Sequence, residues 1–276
     1  MRLPRVQSFE LNDHPRVPAV LRDTIVETLS RTLRWGKVID GLAHPFARFL
    51  GEANTSEVLD LGSGAGGPAS ILAEHLAARG SHVRFLLSDL FPRVEVWRRL
   101  KKEQPHHLDF VPDPVDATNI PAHLSDGRAR AILNVLHHLP PELAGSVVRS
   151  AVRARAPLFI AEGFERNPLG FLPFAATGIP ALLLSPVLAH DRHLERALLA
   201  WASPVAVLAS AWDGFVSTMR VYDEEELRDM TRGEEASDDY TWSYGVYSFP
   251  FGGRGYYFMG TCRPRRVMAR ARQGLG

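Results

Sequence analysis

The sequence of 276 residues has a single cysteine, Cys262, so no disulfide can form within the chain. It also lacks a surplus of either charge, since 32 lysines and arginines stand against 31 acidic residues. The first residues lack the apolar core of a secretory signal. Because these features are absent, we expect a cytoplasmic protein that binds no nucleic acid.

The sequence also lacks histidines and cysteines at the spacing typical of a structural zinc site. Histidine occurs in two adjacent pairs, His106–His107 and His137–His138, and neither pair combines with cysteine in the pattern of a structural zinc site. Adjacent side chains on a strand point to opposite faces, which makes such a pair a poor chelate there. The sequence therefore predicts no metal site.

The chain does contain a glycine-rich segment at residues 58–68, VLDLGSGAGGP. An apolar run ends in Asp60, a glycine turn follows, and Pro68 opens an alanine- and leucine-rich stretch. This order predicts a strand, a tight turn and a helix that together form a cofactor pocket in an α/β sheet. The glycines also fit the dinucleotide pattern G-x-G-x-x-G, but a carboxylate at Asp60 would repel a pyrophosphate and attract an ammonium group.

Residues 60–66, DLGSGAG, resemble the first motif of class I S-adenosylmethionine-dependent methyltransferases, (D/E)-x-G-x-G-x-G. The resemblance is to bacterial small-molecule members related to the enzymes of ubiquinone and menaquinone biosynthesis. It implies that S-adenosylmethionine is the cofactor and S-adenosylhomocysteine the product. The residues implied to bind the cofactor at this turn are Asp60, Gly62, Ser63 and Gly64.

Two further acids follow candidate strands at the intervals of this family. Residues 82–88 end at Asp89, which can accept hydrogen bonds from a ribose diol. In the family, an acid at the position of Asp116 holds the adenine amino group, and the N–H at the position of Ala117 holds a ring nitrogen. Leu90 and Asn134 complete the expected cofactor-binding residues.

Residues 136–140, LHHLP, resemble the fourth motif of the family. His137 and His138 follow a candidate strand at the edge where acceptors bind in such folds. Either imidazole can deprotonate or orient an acceptor hydroxyl, which makes the pair the catalytic candidates. The alternative is that they cap the following helix. Weaker candidates for acceptor contact are Glu162, Asp213 and Arg220.

The alternation of strands and helices predicts an α/β fold. The resemblance implies a Rossmann-like, seven-stranded, mostly parallel sheet of order 3-2-1-4-5-7-6, which ends in an antiparallel aromatic hairpin over residues 240–262. We expect an N-terminal helical cover at residues 1–54 and a methyltransferase domain at residues 55–276. Predicted helices lie at residues 21–33, 38–50, 68–79, 92–103 and 141–154. Predicted strands lie at residues 58–60, 82–88, 108–111, 131–135 and 157–161.

An apolar helical insertion is predicted at about residues 166–214. Residues 168–189 contain no charged side chain, and residues 197–212 form a second uncharged run. The first run is long enough to span a bilayer, but four prolines interrupt it. Three interpretations remain open: a buried core, a cap that lines a pocket for a lipophilic acceptor, and a peripheral membrane contact.

These observations predict transfer of a methyl group from S-adenosylmethionine to a small, lipophilic acceptor. A nucleotide-dependent oxidoreductase on a Rossmann sheet is the alternative enzyme, and Asp60 and the terminal hairpin disfavour it. A module that binds S-adenosylmethionine without turnover is the alternative from another class. The acceptor atom and the oligomeric state do not follow from the sequence.

Overall fold

The computed structural model describes residues 3–11, 14 and 16–262. Its centre is a seven-stranded sheet of order β3-β2-β1-β4-β5-β7-β6. Strands β1 to β5 are parallel, whereas β7 pairs antiparallel with β5 and with β6. The predicted fold class and strand order are thereby confirmed. The strands are β1 (Glu57–Leu61), β2 (Arg84–Ser88), β3 (Leu108–Phe110), β4 (Ala129–Leu133), β5 (Leu158–Glu162), β6 (Tyr240–Phe249) and β7 (Gly253–Cys262).

Eleven helices are formed by the described residues: α1 (Ala19–Trp35), α2 (Ala43–Ala53), α3 (Gly67–Ala77), α4 (Val94–Glu103), α5 (Ala122–Ser125), α6 (Pro141–Arg153), α7 (Leu172–Leu183), α8 (Ser185–Leu188), α9 (His193–Trp201), α10 (Val205–Arg220) and α11 (Glu224–Met230). Helix α2 starts later than predicted, because a 3₁₀ turn occupies Asp40–Leu42. Strand β4 ends two residues early, because Asn134 adopts a φ of +62°, which no extended strand can contain.

Both faces of the sheet are covered, as the alternation of side chains requires. Val58 and Phe85 point into one hydrophobic cluster, where they pack with Phe46 and Phe49 of α2. The neighbouring Leu59 points into the other cluster, which contains residues of α6 and α11. The carboxyl ends of β1 and β4 lie side by side at the point where the strand order reverses. Open α/β sheets bind ligands in the crevice outside that point.

The predicted insertion folds as four helices, α7 to α10, and its prolines explain their boundaries. Pro173 and Pro186 are the second residues of α7 and α8, and Pro204 immediately precedes α10; a missing N–H is tolerated at all three positions. Pro180 lies inside α7, and the helix ends three residues later. Helix α1 packs against α7, α9 and α10, so the N-terminal cover and the insertion share a core.

Among the described residues, no single helix is long and apolar enough to cross a membrane. The pair α9 and α10 passes that test together, but its two helices are bent by 76°. Many large apolar side chains of α7 to α10 are nevertheless exposed, among them Val187, Leu194, Leu198, Trp201 and Leu208.

Candidate functional site

The glycine turn after β1 has the geometry of the pattern G-x-G-x-G. Gly62, Gly64 and Gly66 all have positive φ, whereas Gly67 is already the first residue of α3. At Gly62 a Cβ would lie 2.7 Å from a methyl carbon of Val135, so a side chain is excluded there by contact as well as by conformation. The third glycine with a left-handed conformation is thus Gly66, which the dinucleotide pattern does not include.

Asp89 supports this turn from the end of β2. One of its carboxylate oxygens accepts the N–H of Gly64 at 2.8 Å, and the other accepts the N–H of Phe91 at 2.9 Å. Each oxygen keeps a further lone pair for a hydrogen bond from a ligand hydroxyl. The carboxylate is half-buried, so it is held in place yet remains accessible.

Asp60 lies beneath the turn, and its carboxyl group is buried. Its backbone carbonyl accepts hydrogen bonds from the hydroxyls of Ser63 and Ser88, at 3.0 and 2.8 Å. Burial raises the pKa of its carboxyl to about 7, because removal from water disfavours the charged form. Its role opposite an ammonium group remains a prediction, since Asp60 does not line the cavity described next.

The larger cavity lies over the carboxyl ends of β1, β2 and β4 and has a volume of about 540 Å³. Eight of the nine predicted cofactor-binding residues line it: Gly62, Ser63, Gly64, Asp89, Leu90, Asp116, Ala117 and Asn134. The sequence analysis missed the part of the wall that α1 contributes, including Val26, Ser30 and Leu33. No motif marks these residues, because only the docking of α1 brings them to the cavity.

Asp116 lies at the exposed rim of the larger cavity. Its Oδ1 accepts hydrogen bonds from the hydroxyl and the N–H of Thr118, at 2.7 and 2.8 Å. These bonds lower the pKa of the Asp116 carboxyl, so the group is an acceptor at neutral pH. The adjacent Ala117 also lines the cavity, which brings the two predicted adenine contacts together.

The smaller cavity has a volume of about 210 Å³ and lies between α1, α7 and α10. Apolar side chains form most of its wall, including Ile25, Phe164, Phe171, Phe174 and Leu182. Its polar end contains Glu10, His137, His138, Asp213 and Ser217. Glu10 was not predicted from the sequence, because it lies in an irregular N-terminal segment that carries no motif.

The polar end is a network of buried side chains. Nδ1 of His137 lies 2.7 Å from Oε2 of Glu162, and the His137 N–H donates to the other oxygen of that carboxylate at 3.1 Å. Oε1 of Glu10 accepts from Arg220 at 3.0 Å and from the hydroxyl of Ser217 at 2.9 Å. Of the weaker candidates, Asp213 lines the smaller cavity, whereas Glu162 and Arg220 lie behind its wall.

The two histidines do not lie on a strand, and this corrects a premise of the sequence analysis. They form a 3₁₀ turn over Leu136–His138, and their ring centroids are only 4.1 Å apart. Nitrogen atoms of both rings and a carboxylate oxygen of Glu10 lie within 4.8 Å of one another. The alternation of side chains along a strand therefore gives no reason to exclude a metal ion at this pair.

The two cavities meet at three residues, since Leu29, Asn134 and His138 line both. Asn134 is held there by its left-handed conformation and by its side-chain oxygen, which accepts the N–H of Gly163 at 2.9 Å. His138 is the one residue with an ionisable side chain among these three. A ligand in each cavity would thus contact the same imidazole.

The strand order, with its reversed β7, and the geometry of the glycine turn identify the architecture. The chain has the class I methyltransferase fold. No protein-family model matches the sequence, and no curated protein matches it.

Solved structures that resemble this chain do so at low identity. The methyltransferase domain of bacterial CtHen1 is 13% identical, covers 81% of this chain and 99% of its own, and gives a TM-score of 0.48. An O-methyltransferase family protein from Burkholderia thailandensis is 14% identical, with coverages of 84% and 59% and a TM-score of 0.43. NcsB1, an O-methyltransferase of neocarzinostatin biosynthesis solved with S-adenosylhomocysteine and 1,4-dihydroxy-2-naphthoic acid, is 15% identical, with coverages of 88% and 59% and a TM-score of 0.49. At these identities the likeness concerns the fold alone.

Proposed function

We propose that this chain transfers a methyl group from S-adenosylmethionine to a small, lipophilic acceptor. The observation that supports this most directly is the junction of the two cavities at Leu29, Asn134 and His138. A displacement reaction needs the donor and the acceptor in contact and in line, and adjoining cavities place two ligands in that relation. The S-adenosylmethionine sulfonium would supply an electrophilic methyl group with a good leaving group.

The residues of the larger cavity fit this cofactor. The carboxylate of Asp89, already fixed by two N–H groups, would accept hydrogen bonds from the ribose hydroxyls. Asp116 and Ala117 would bind the adenine edge. The positive φ values of Gly62 and Gly64 let the turn approach the ligand backbone closely. Asp60, buried beneath the turn, would favour a cationic amino group above it.

The smaller cavity favours a lipophilic acceptor that carries one polar group. Its aromatic and aliphatic walls would bind the apolar part, while Glu10 and His138 would bind the polar group. Ile179 and Val207 line the cavity and are also exposed, which gives an apolar acceptor an apolar route of entry. The acceptors that fit this description best are phenols and quinols.

The two predicted catalytic histidines have different roles in this proposal. His138 lines both cavities and would contact the reacting group of the acceptor. His137 is buried and bound to Glu162, so it acts as a positioning residue that holds the 3₁₀ turn and the polar network in place. We therefore expect substitution of His138 to reduce turnover more than substitution of His137 does.

The test is a turnover assay with S-adenosylmethionine labelled on its methyl group and a panel of phenols and quinols. We expect a labelled product with at least one member of the panel, and a slower reaction for His138→Gln when S-adenosylmethionine is saturating. Tight binding of S-adenosylhomocysteine without any product would favour the non-catalytic module. Tight binding of NAD in place of S-adenosylhomocysteine would favour the oxidoreductase.

A further inference from the structure

We propose that Glu10, His137 and His138 form a site for a divalent transition-metal ion at the polar end of the smaller cavity. The expected ligands are Nε2 of His137, Nδ1 of His138 and the carboxylate of Glu10. Two imidazoles and a carboxylate are a donor set that Zn²⁺ and neighbouring first-row ions favour. All three residues line the cavity.

The spacing of the donor atoms fits a shared ion. Nδ1 of His138 lies 3.6 Å from Oε2 of Glu10, and Nε2 of His137 lies 3.8 Å from Oε1. Both separations exceed an ordinary hydrogen bond. Ligands at about 2.0–2.2 Å from a tetrahedral ion lie about 3.3–3.6 Å from each other. Small rotations of these side chains would therefore complete the coordination.

The surroundings orient the donors as an ion would require. The bond of 2.7 Å between Glu162 and Nδ1 of His137 leaves Nε2 of that ring directed at Glu10. In protein metal sites, the second ring nitrogen of a ligating histidine commonly donates a hydrogen bond to a carboxylate, which fixes the orientation of the ring. Arg220 and Ser217 both bind Oε1 of Glu10, whereas Oε2 is the oxygen that lies near Nδ1 of His138.

Buried acidic side chains surround the proposed site. Among its described side chains, Glu10, Glu162 and Asp213 are each at most 4% exposed, and only one guanidinium, that of Arg220, is buried with them. Arg5 lies nearby, but its described hydrogen bonds go to backbone carbonyls. Buried carboxylates are costly unless positive charge compensates them. A divalent ion bound here would add positive charge among these carboxylates.

An ion at this place would keep a coordination position open toward the smaller cavity, as catalytic rather than structural sites do. Its ligand would be an oxygen of the acceptor, in the first instance a phenolic oxygen. This part of the inference rests on the proposed function. In that case His138 would act on the acceptor through the ion rather than by taking a proton itself.

The experiment measures metal binding directly. Protein freed of metal by a chelator is titrated with Zn²⁺ by calorimetry and with Co²⁺ by visible absorption, which reports the coordination geometry. We expect one ion per chain and a tetrahedral Co²⁺ spectrum. Glu10→Gln and His138→Gln should each weaken binding at least tenfold. The variant with both His106→Gln and His107→Gln, a second adjacent pair outside the cluster, is the matched control and should bind as the wild type does.

Equal binding by the wild type and the two cluster variants would overturn the site, as would the absence of a single tight ion. Near-ultraviolet circular dichroism of each variant shows whether it is folded, and Glu10→Gln keeps an oxygen for Arg220 and Ser217.

Titration of the metal-free protein with S-adenosylhomocysteine separates the two proposals, because the larger cavity contains none of the three ligands except His138. Normal binding there with no metal site would leave the proposed function intact, whereas failure to bind both with and without added Zn²⁺ would count against the proposed function alone.

Discussion

Oε1 of Glu10 accepts a hydrogen bond from Arg220 at 3.0 Å, and both side chains are buried. The pair joins the irregular N-terminal segment to the end of α10 and closes the polar end of the smaller cavity. Further bonds reinforce the same junction, since the N–H of Val6 donates to the carbonyl of Met219 and the Leu11 N–H donates to Asp213. The N-terminal segment is therefore part of the site.

Removal of this carboxylate should destabilise the protein. Glu10→Ala leaves the Arg220 guanidinium buried without it, and breaking a buried pair in this way costs about 3–5 kcal/mol. Glu10→Gln should cost less, because an amide oxygen can still accept from Arg220 and Ser217. Urea denaturation measures the free energy of unfolding of both variants. Glu224→Ala, which breaks a surface pair with Arg228, is the control and should cost about 1 kcal/mol or less. Equal free energies of unfolding for the wild type and Glu10→Ala would contradict the prediction.

Asp89→Ala should weaken binding of S-adenosylhomocysteine. The carboxylate is expected to bind the ribose, and it also holds the Gly64 N–H in the turn. Loss of hydrogen bonds to a charged group costs roughly 1–3 kcal/mol, which is about five- to 150-fold in affinity. Calorimetric titration with S-adenosylhomocysteine measures the affinity. The control is Asp113→Ala, because Asp113 is exposed and does not line the larger cavity. Unchanged affinity in Asp89→Ala would remove Asp89 from the cofactor site.

The stability of the protein should depend on the ionisation of Asp60. Its pKa rises from 3.8 to about 7 in the folded state, so the folded chain holds this proton more tightly than the unfolded chain does. The contribution of Asp60 to stability therefore falls as the pH rises from about 4 to 7, by up to about 4 kcal/mol.

Asp60→Asn removes this ionisation. We expect its melting temperature to match the wild type at pH 5, where the carboxyl is protonated, and to exceed it at pH 8. Asp113→Asn, at an exposed acid, should show no such divergence. If Asp60→Asn and the wild type differ by the same amount at both pH values, burial does not raise this pKa.

A larger side chain in the smaller cavity should block the acceptor without disturbing the cofactor. Ala175 lines that cavity, whereas its neighbour Ala176 is exposed and does not. With S-adenosylhomocysteine at saturation, a lipophilic phenol at a hundred times its dissociation constant should stabilise the wild type by about 2.7 kcal/mol. Ala175→Leu should abolish this thermal shift, and Ala176→Leu should preserve it. A screen in which only polar metabolites raise the melting temperature would refute the lipophilic acceptor.

The exposed apolar side chains of α7 to α10 predict a peripheral contact with lipid. Leu194 and Leu208 are 74% and 62% exposed. Insertion of one leucine into an apolar phase contributes about 1.5–3 kcal/mol, so replacing both by glutamate should weaken partition onto phosphatidylcholine vesicles at least about tenfold. Co-sedimentation measures the partition. A wild-type protein that stays entirely in the supernatant would contradict this prediction.

Most of the sheet followed from local sequence. The apolar run before Asp60, the glycines that need a left-handed conformation and the proline at the start of α3 act within a dozen residues, so their pattern alone predicts a strand, a turn and a helix. The capping box that begins α11 is equally local, since the side chains of Asp223 and Glu226 each accept the other residue's N–H. The end of β4 was misjudged, because apolar residues continue past Leu133 while the backbone already turns at Asn134.

The sequence by itself thus determined the succession of strands, turns and helices, because each depends on short-range pattern. The resemblance of its motifs to the family supplied eight of the residues around the larger cavity. Only the tertiary structure decided that Glu10 meets His137 and His138, that Asp60 lies beneath the cavity, and that the insertion encloses a second cavity. These outcomes depend on how α1 and α10 dock over the sheet. Contacts between distant segments arise from packing and charge compensation, which leave no periodic signal along the chain.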